Sequence, residues 1–408
     1  MQIPVMGRRH WLAPFLLAAP LYAIANPVLE WNDIAIKAAV ASRQGPTLTT
    51  RSMAVVHSAV FDAVNAVQPK YQKFKFTGTA APNASIDAAA AAAAHAALVK
   101  LYPDQRATFD QALSASLAKL PEGAPRNDGV AVGQAAAQTI LTWCADDRVG
   151  AVTQYRPITT PGSYVPTTLP VAHDFALSRP WLLKSADQFR PPPPPALASE
   201  TWARDFNEIQ QIGARASTKR TAEQTQVAQF WVITGAPAFN GLMRQAVEQR
   251  KLGTLESARV AALVYMAFND ALVAVFDAKY TYNFWRPMTA VRNGDQHGNP
   301  AVKRDAGWLP LVDAPMHPEY PCAHCISAAS VGQVLQSELG DVVGPLEMVS
   351  PTLPGVTRRW NKVSEFVQEV SDARVWSGVH YRFSTETGQK MGKEIGQYAV
   401  KNYLQPLR

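Results

Sequence analysis

Five basic side chains in the later part of a 408-residue chain, Lys279, Arg286, His324, Arg374 and His380, are of the types and spacings that bind a tetrahedral oxyanion. Lys279 and Arg286 are seven apart, an offset of about 700° on a helix, so both project from one face roughly 10 Å apart. Two long cations placed in this way can close on one anion. Pro287 is expected to end or kink the helix directly after Arg286. A lysine and an arginine on one helix face are usually solvated, but Tyr280, Tyr282, Phe284 and Trp285 make this segment too aromatic for an exposed face. In the segment Pro318 to His324, small residues stand just ahead of a helix rich in alanine and serine, whose first backbone N–H groups bind anions. His324 then sits beside the anion, where it can give or take a proton. The run Arg374 to Phe383 adds a third cation, a second histidine at 380, and Gly378, which permits close backbone approach. A lone histidine here would more often be structural. Three cations, two histidines and a helix start together suit a trianionic oxyanion.

These segments resemble the three-part signature of vanadium-dependent haloperoxidases and type 2 phosphatidic acid phosphatases. Lys279 with Arg286-Pro287, Pro321 to His324, and Arg374 with His380 match it in order and spacing. The stretches Phe284 to Arg292 and Gly378 to Phe383 look closer to the soluble chloroperoxidase branch than to membrane lipid phosphatases. The signature spans residues 279 to 383, and the N-terminal half matches only as a compatible helical scaffold. The resemblance implies an all-α helical bundle and a vanadate cofactor. His380 would be the axial vanadate ligand and His324 the acid–base residue, while Lys279, Arg286, Arg374, Cys322 and the backbone at Ala323 hold the equatorial oxygens. In a peroxidase, hydrogen peroxide replaces a vanadate oxygen and Lys279 polarises it for attack by halide. In a phosphatase the same pocket takes a phosphate ester and His380 attacks phosphorus.

Five positions depart from the family pattern. Cys322 stands for the serine that donates to the oxyanion and Ala323 for the glycine before the histidine; Ala373 replaces a serine and Ser384 the aspartate four residues after the second histidine. Gln229 to Gly235 resembles a further chloroperoxidase segment in which an acidic residue stands where this chain has Thr234. Loss of that carboxylate leaves the acid–base histidine less basic, favouring bromide over chloride. The expected activity is vanadate-dependent halide oxidation by hydrogen peroxide. A phosphomonoesterase is the second reading, and an oxyanion-binding protein without turnover is the third. Cys322 and Cys325 admit a local disulfide that could coexist with catalysis; zinc on Cys322, His324 and Cys325 lacks a fourth ligand and suitable spacing.

The elements that must position these residues read as helices. Apolar residues recur at helical spacing from Leu29 to Val67, then over Ile86–Leu101, Gln105–Leu120, Val130–Trp143, Ala203–Ala214, Ala222–Val232 and Asn240–Lys251. Thr254–Tyr280 is the strongest; Ile326–Leu339, Val356–Val370 and Thr385–Tyr403 complete the set, with no alternation that demands a sheet. His57 and Asp62 are expected as a polar pair between packed helices. Residues 150 to 200 hold Pro157, Pro161, Pro166, Pro170, Pro180 and the run Pro191 to Pro195, which excludes regular helix. Tyr155, Tyr164, Trp181 and Phe189 there point to an ordered loop over a cleft, with a proline spacer between domains as the alternative.

Arg8 and Arg9, the apolar stretch Trp11 to Ile24 and Ala23-Ile24-Ala25 read as a signal peptide over residues 1–25, too short and proline-broken to span a bilayer. Sec or twin-arginine export to the periplasm or outside the cell is expected, leaving 26–408 as one large helical domain without a membrane span. Removing two arginines lowers the formal charge from +7 to +5. Without a basic run this argues against nucleic-acid binding, while a mild positive field favours a small anion. Three cysteines leave at least one unpaired, so burial must supply the stability. Large apolar helix faces are compatible with a homodimer.

Overall fold

The computed structural model describes residues 26–150 and 155–408, so the expected export segment over 1–25 lies outside the described residues. Thirteen α-helices carry the described chain: α1 (Pro27–Ala41), α2 (Pro46–Val67), α3 (Ile86–Leu101), α4 (Arg106–Ala118), α5 (Ala124–Cys144), α6 (Glu200–Ile212), α7 (Ala222–Phe230), α8 (Ala236–Gln249), α9 (Thr254–Tyr282), α10 (Pro287–Arg292), α11 (Ala323–Leu339), α12 (Val363–Trp376) and α13 (Arg382–Asn402). The helical period continues across Leu29 to Val67, but the helix does not. Arg43 takes φ +54° and Pro46 opens a new helix, so the segment breaks into α1 and α2.

The 29-residue α9 packs against α2 on one side and against α11 and α13 on the other. It is long and apolar enough to cross a membrane, yet its apolar window is 94% buried inside the chain. The alanines of α3 lie between α2 and α5, where short side chains let backbones approach. Glycine does the same where α13 crosses α11: a Cβ at Gly392 would lie 2.4 Å from the Ile326 carbonyl oxygen. This contact seats the start of α11, which carries His324.

Two sequence expectations are corrected here. Residues 342–362 form an antiparallel hairpin, β1 (Val342–Ser350) with β2 (Leu353–Lys362), so the helix expected from Val356 begins only at Val363. Val356, Arg358 and Trp360 do point inward in alternation, but Arg358 hides the apolar period because its guanidinium is held by Glu369 and Glu223. A bulge between Val342 and Leu346 breaks the period in β1. His57 and Asp62, secondly, are not a pair. Asp62 accepts three backbone N–H groups from Phe74, Lys75 and Phe76 at 2.8 Å, while His57 Nε2 meets Asn32 Nδ2 at 2.9 Å and its ring stacks on Tyr265.

The proline-rich stretch is clamped to α9. Asp270 accepts the N–H groups of Trp181, Leu182 and Leu183 at 2.7 to 2.8 Å, and Arg190 grips Asp277 through two 2.7 Å bonds. Tyr282 donates to the Pro191 carbonyl and Tyr320 to that of Pro192 at 2.9 Å, so the proline run braces the segment after α9 and is no free spacer. Val171 N–H donates to Met316 O and Tyr164 N–H to Asn283 O, laying the loop across the segments that carry the signature residues.

Two predictions follow from these buried groups. Asp270→Ala leaves three buried N–H donors without acceptors at about 1 kcal/mol or more each, so urea unfolding should show a loss above about 3 kcal/mol. Burial pushes the His57 imidazole down to about 3. Between that value and about 6.5 the unfolded chain binds the extra proton, so stability is lost as pH falls through this window. In urea titrations from pH 6.5 to 4, His57→Asn should reduce the slope of unfolding free energy against pH by up to about 1.4 kcal/mol per unit.

Candidate active site

Lys279 lies in the last turn of α9, but Arg286 is not on the same helix. Asn283 ends α9 in the left-handed conformation with φ +46°, and Arg286 is the N-cap of α10. Pro287 therefore starts a helix where the sequence suggested it would stop one. The reversal at Asn283 still returns Arg286 to the same cavity. Lys279 Nζ donates to the carbonyls of Pro318 at 3.0 Å and Glu319 at 2.6 Å; Arg286 donates to those of His317 at 2.9 Å and Val379 at 3.0 Å.

Cys322 is the N-cap of α11, so Ala323 and His324 occupy its first turn, as the small residues ahead of it suggested. Both are half-buried, whereas Lys279, Arg286, Arg374 and His380 are at most 2% exposed. The two cysteines form a disulfide, Cys322–Cys325, and Cys322 Sγ accepts the N–H of Cys325 at 3.2 Å. The Cys322 thiol expected as an oxyanion donor therefore has no S–H to give; the N–H groups of the helix start remain.

Arg374 ends α12 and His380 follows a tight corner. Gly378 takes φ +80°, and a Cβ there would stand 2.3 Å from Gly213 O. Beyond the corner, Asp205 of α6 accepts the N–H of Phe383 at 2.8 Å and starts α13. Trp202, Phe284, Trp285, Tyr320, Tyr381 and Phe383 pack behind this corner as a second apolar cluster, separate from the core around α9.

The structure brings all five signature residues together. His380 Nε2 lies 3.2 Å from Arg286 Nη1 and, because a guanidinium only donates, that nitrogen is unprotonated. His324 Nε2 lies 3.2 Å from the Ile233 carbonyl, which only accepts, so there the proton is on Nε2. Arg374 donates to Trp231 O at 3.0 Å, and its Nε is buried with no partner. Thr234 is exposed beside this carbonyl ledge. The segment around Thr234 thus reaches His324 as the resemblance implied, but through the backbone of its neighbour Ile233.

Two residues were missed in the sequence. Glu319 is fully buried, with Oε1 2.6 Å from His380 Nδ1 and 3.2 Å from the N–H of Tyr381. His317 Nδ1 lies 3.0 Å from Arg286 Nη2. Glu319 sits inside the signature itself, and a carboxylate there, in a chain with Ser384 after its second histidine, was the available signal. Nothing comparable pointed to His317.

Burial dominates the electrostatics. It lowers Lys279 well below the usual lysine range, helped by Arg286 and Arg374, and pushes Arg286 down to about 10 and Arg374 to about 9. It also lowers His380, with Arg286 and Lys279 adding, and His324, with Arg374 adding, well below 6.5. Glu319 is raised to about 7 by burial, against the pull of Lys279 and Arg286. Three cations around one carboxylate, with an orphaned guanidinium N–H, fit a multiply charged oxyanion.

Residues 259–408 match the family model of the VCPO second helical-bundle domain. Vanadium chloroperoxidase of Curvularia inaequalis is 24% identical over an alignment spanning 92% of this chain and 82% of that one. A bacterial vanadium-dependent iodoperoxidase structure superposes with a TM-score of 0.78 at 22% identity, covering 92% of this chain and 97% of that one. The holo form of a bacterial vanadium-dependent chloroperoxidase gives 0.69 at 17% identity over 94% and 93%. The described chain has the fold of the vanadium haloperoxidases, and these likenesses support the vanadium haloperoxidase and type 2 acid phosphatase superfamily for it. All five signature side chains fall within the matched segment, and the chain N-terminal to it supplies the Trp231–Ile233 ledge.

The charge imbalance predicts ligand-dependent stability. Orthovanadate or inorganic phosphate at a hundred times its dissociation constant should stabilise the fold by about 2.7 kcal/mol. Thermal unfolding would read this as a rise in midpoint that Arg374→Ala largely abolishes; no rise with either anion would argue against an oxyanion pocket.

Proposed function

We propose that this protein is a vanadate-dependent haloperoxidase that uses hydrogen peroxide to oxidise halide, bromide ahead of chloride. The observation that carries the reading is the unprotonated His380 Nε2 among three buried cations that a single carboxylate leaves unbalanced. Vanadate, when bound, would supply a Lewis-acid centre at which hydrogen peroxide is activated for oxygen transfer to halide.

Each residue of the chain has a distinct part. His380 Nε2 would hold the anion. Lys279, Arg286 and Arg374 would bind its oxygens, with the N–H groups at Ala323, and balance its charge. His324 holds a proton at Nε2 against the Ile233 carbonyl, leaving Nδ1 to accept and return protons. A carbonyl does not raise basicity as a carboxylate would, and this supports the preference for bromide. The Cys322–Cys325 bridge supports an oxidising compartment, in keeping with export directed by residues 1–25.

Phosphate is nearly isosteric with vanadate, and the same Nε2 lone pair suits a phosphoryl nucleophile; the test therefore has two arms. Mature protein would be assayed with and without vanadate, for peroxide-driven bromination and for hydrolysis of a chromogenic phosphate. Vanadate-dependent bromination, exceeding chlorination and lowered about 10²- to 10⁴-fold in His324→Ala, is expected. Hydrolysis that vanadate inhibits would replace this reading with a phosphomonoesterase, and binding without turnover in either arm would leave an oxyanion-binding protein.

A further inference from the structure

We propose that Glu319 is the positioning residue for His380, and that it does from the loop before α11 what a carboxylate at position 384 would do from α13. The proposal rests on the reading of His380 as the oxyanion-binding histidine. His380 is held at both ring nitrogens. Arg286 Nη1 donates toward Nε2 at 3.2 Å, so the ring proton is on Nδ1, and Glu319 Oε1 accepts it at 2.6 Å. A carboxylate behind a histidine fixes the tautomer, fixes the ring plane and makes the opposite nitrogen a better donor of its lone pair. The same Oε1 takes the N–H of Tyr381 at 3.2 Å, so side chain and backbone of the corner are registered together. With Glu319 fully buried and His380 1% exposed, bulk solvent does not compete for this contact.

Position 384 explains why the carboxylate comes from the loop. Ser384 is fully buried one helical turn after His380, and its Oγ lies 3.5 Å from Nδ1, too far for a good bond but on the correct side of the ring. A carboxylate there would be long enough to reach Nδ1 fully, whereas the Ser384 hydroxyl makes only this long contact and bonds the Glu319 carboxylate as well. Glu319 also brings a link that residue 384 could not. Its backbone carbonyl holds Lys279 Nζ at 2.6 Å, so one residue places both a pocket cation and the oxyanion-binding histidine. Side-chain substitution leaves the Lys279 contact intact, because that contact is made by the backbone.

The test uses Glu319→Ala, the volume-conserving Glu319→Gln, and Glu319→Ala/Ser384→Asp. Vanadate and phosphate affinities are measured by equilibrium dialysis, and the Nδ1 proton of His380 is followed by NMR in anion-free protein. Both single variants should bind vanadate about 10- to 100-fold more weakly. The relocated carboxylate should restore affinity to within a few-fold of wild type and return a far-downfield Nδ1 proton that Glu319→Ala has lost. Unchanged affinity and an unchanged resonance in Glu319→Gln would overturn the proposal. So would a double variant that melts like wild type yet binds as weakly as Glu319→Ala. If wild type binds neither anion, the oxyanion reading fails, while the proton resonance still decides the assignment of Glu319.

Discussion

Like charges do not gather in a protein interior unless something of opposite sign is meant to join them. Lys279, Arg286 and Arg374 are buried around one carboxylate, and burial lowers the proton affinity of all three. Burial, reinforced by these cations, keeps the two histidines neutral, and a neutral imidazole is the form with a lone pair to offer. The backbone carbonyls of Trp231, His317, Pro318, Glu319 and Val379 solvate the cations without neutralising them. The site is thus kept charged and buried, a state that costs stability and is relieved by an anion.

Holding that arrangement is the task of the rest of the fold. The end of α9, the start of α11 and the corner between α12 and α13 supply the three groups of signature residues, and α9 packs against both α11 and α13. Where the helices must touch, glycines on α13 bring α11 close. Where the chain must turn, Asn283 and Gly378 take left-handed conformations. Asp270 and Arg190 fasten the proline-rich loop along α9, so the wall over the site is tied to the helix that carries Lys279.

At three of the positions that differ from the family pattern, the structure supplies another atom. The Cys322 sulfur is spent in a disulfide that rigidifies the turn, and the helix N–H groups remain as donors. Beside Thr234, the Ile233 carbonyl meets His324. Behind His380, Glu319 stands where Ser384 falls short. These substitutions occur in space and leave no trace in the spacing of the signature. A reading that scores positions one by one sees only losses.

The helical class, the strongest helices and the five basic side chains of the pocket are legible in the residues alone. Helical period, proline and the spacing of cations are local properties, and no tertiary partner is needed to read them. The sequence did not determine the ends of α9 or the separation of Arg286 from it, because Asn283 can end a helix or continue one until packing decides. It missed the hairpin over 342–362, since Arg358 faces inward only because Glu369 and Glu223 are there to receive it. It paired His57 with Asp62 on helical spacing, when each had a better partner far along the chain or in the backbone. Glu319 and His317 were in plain view as residues, but a carboxylate 61 positions from a histidine becomes its partner only after two helices have crossed. Which groups share the low-dielectric pocket, and therefore which nitrogen keeps its lone pair, was settled by the tertiary structure alone.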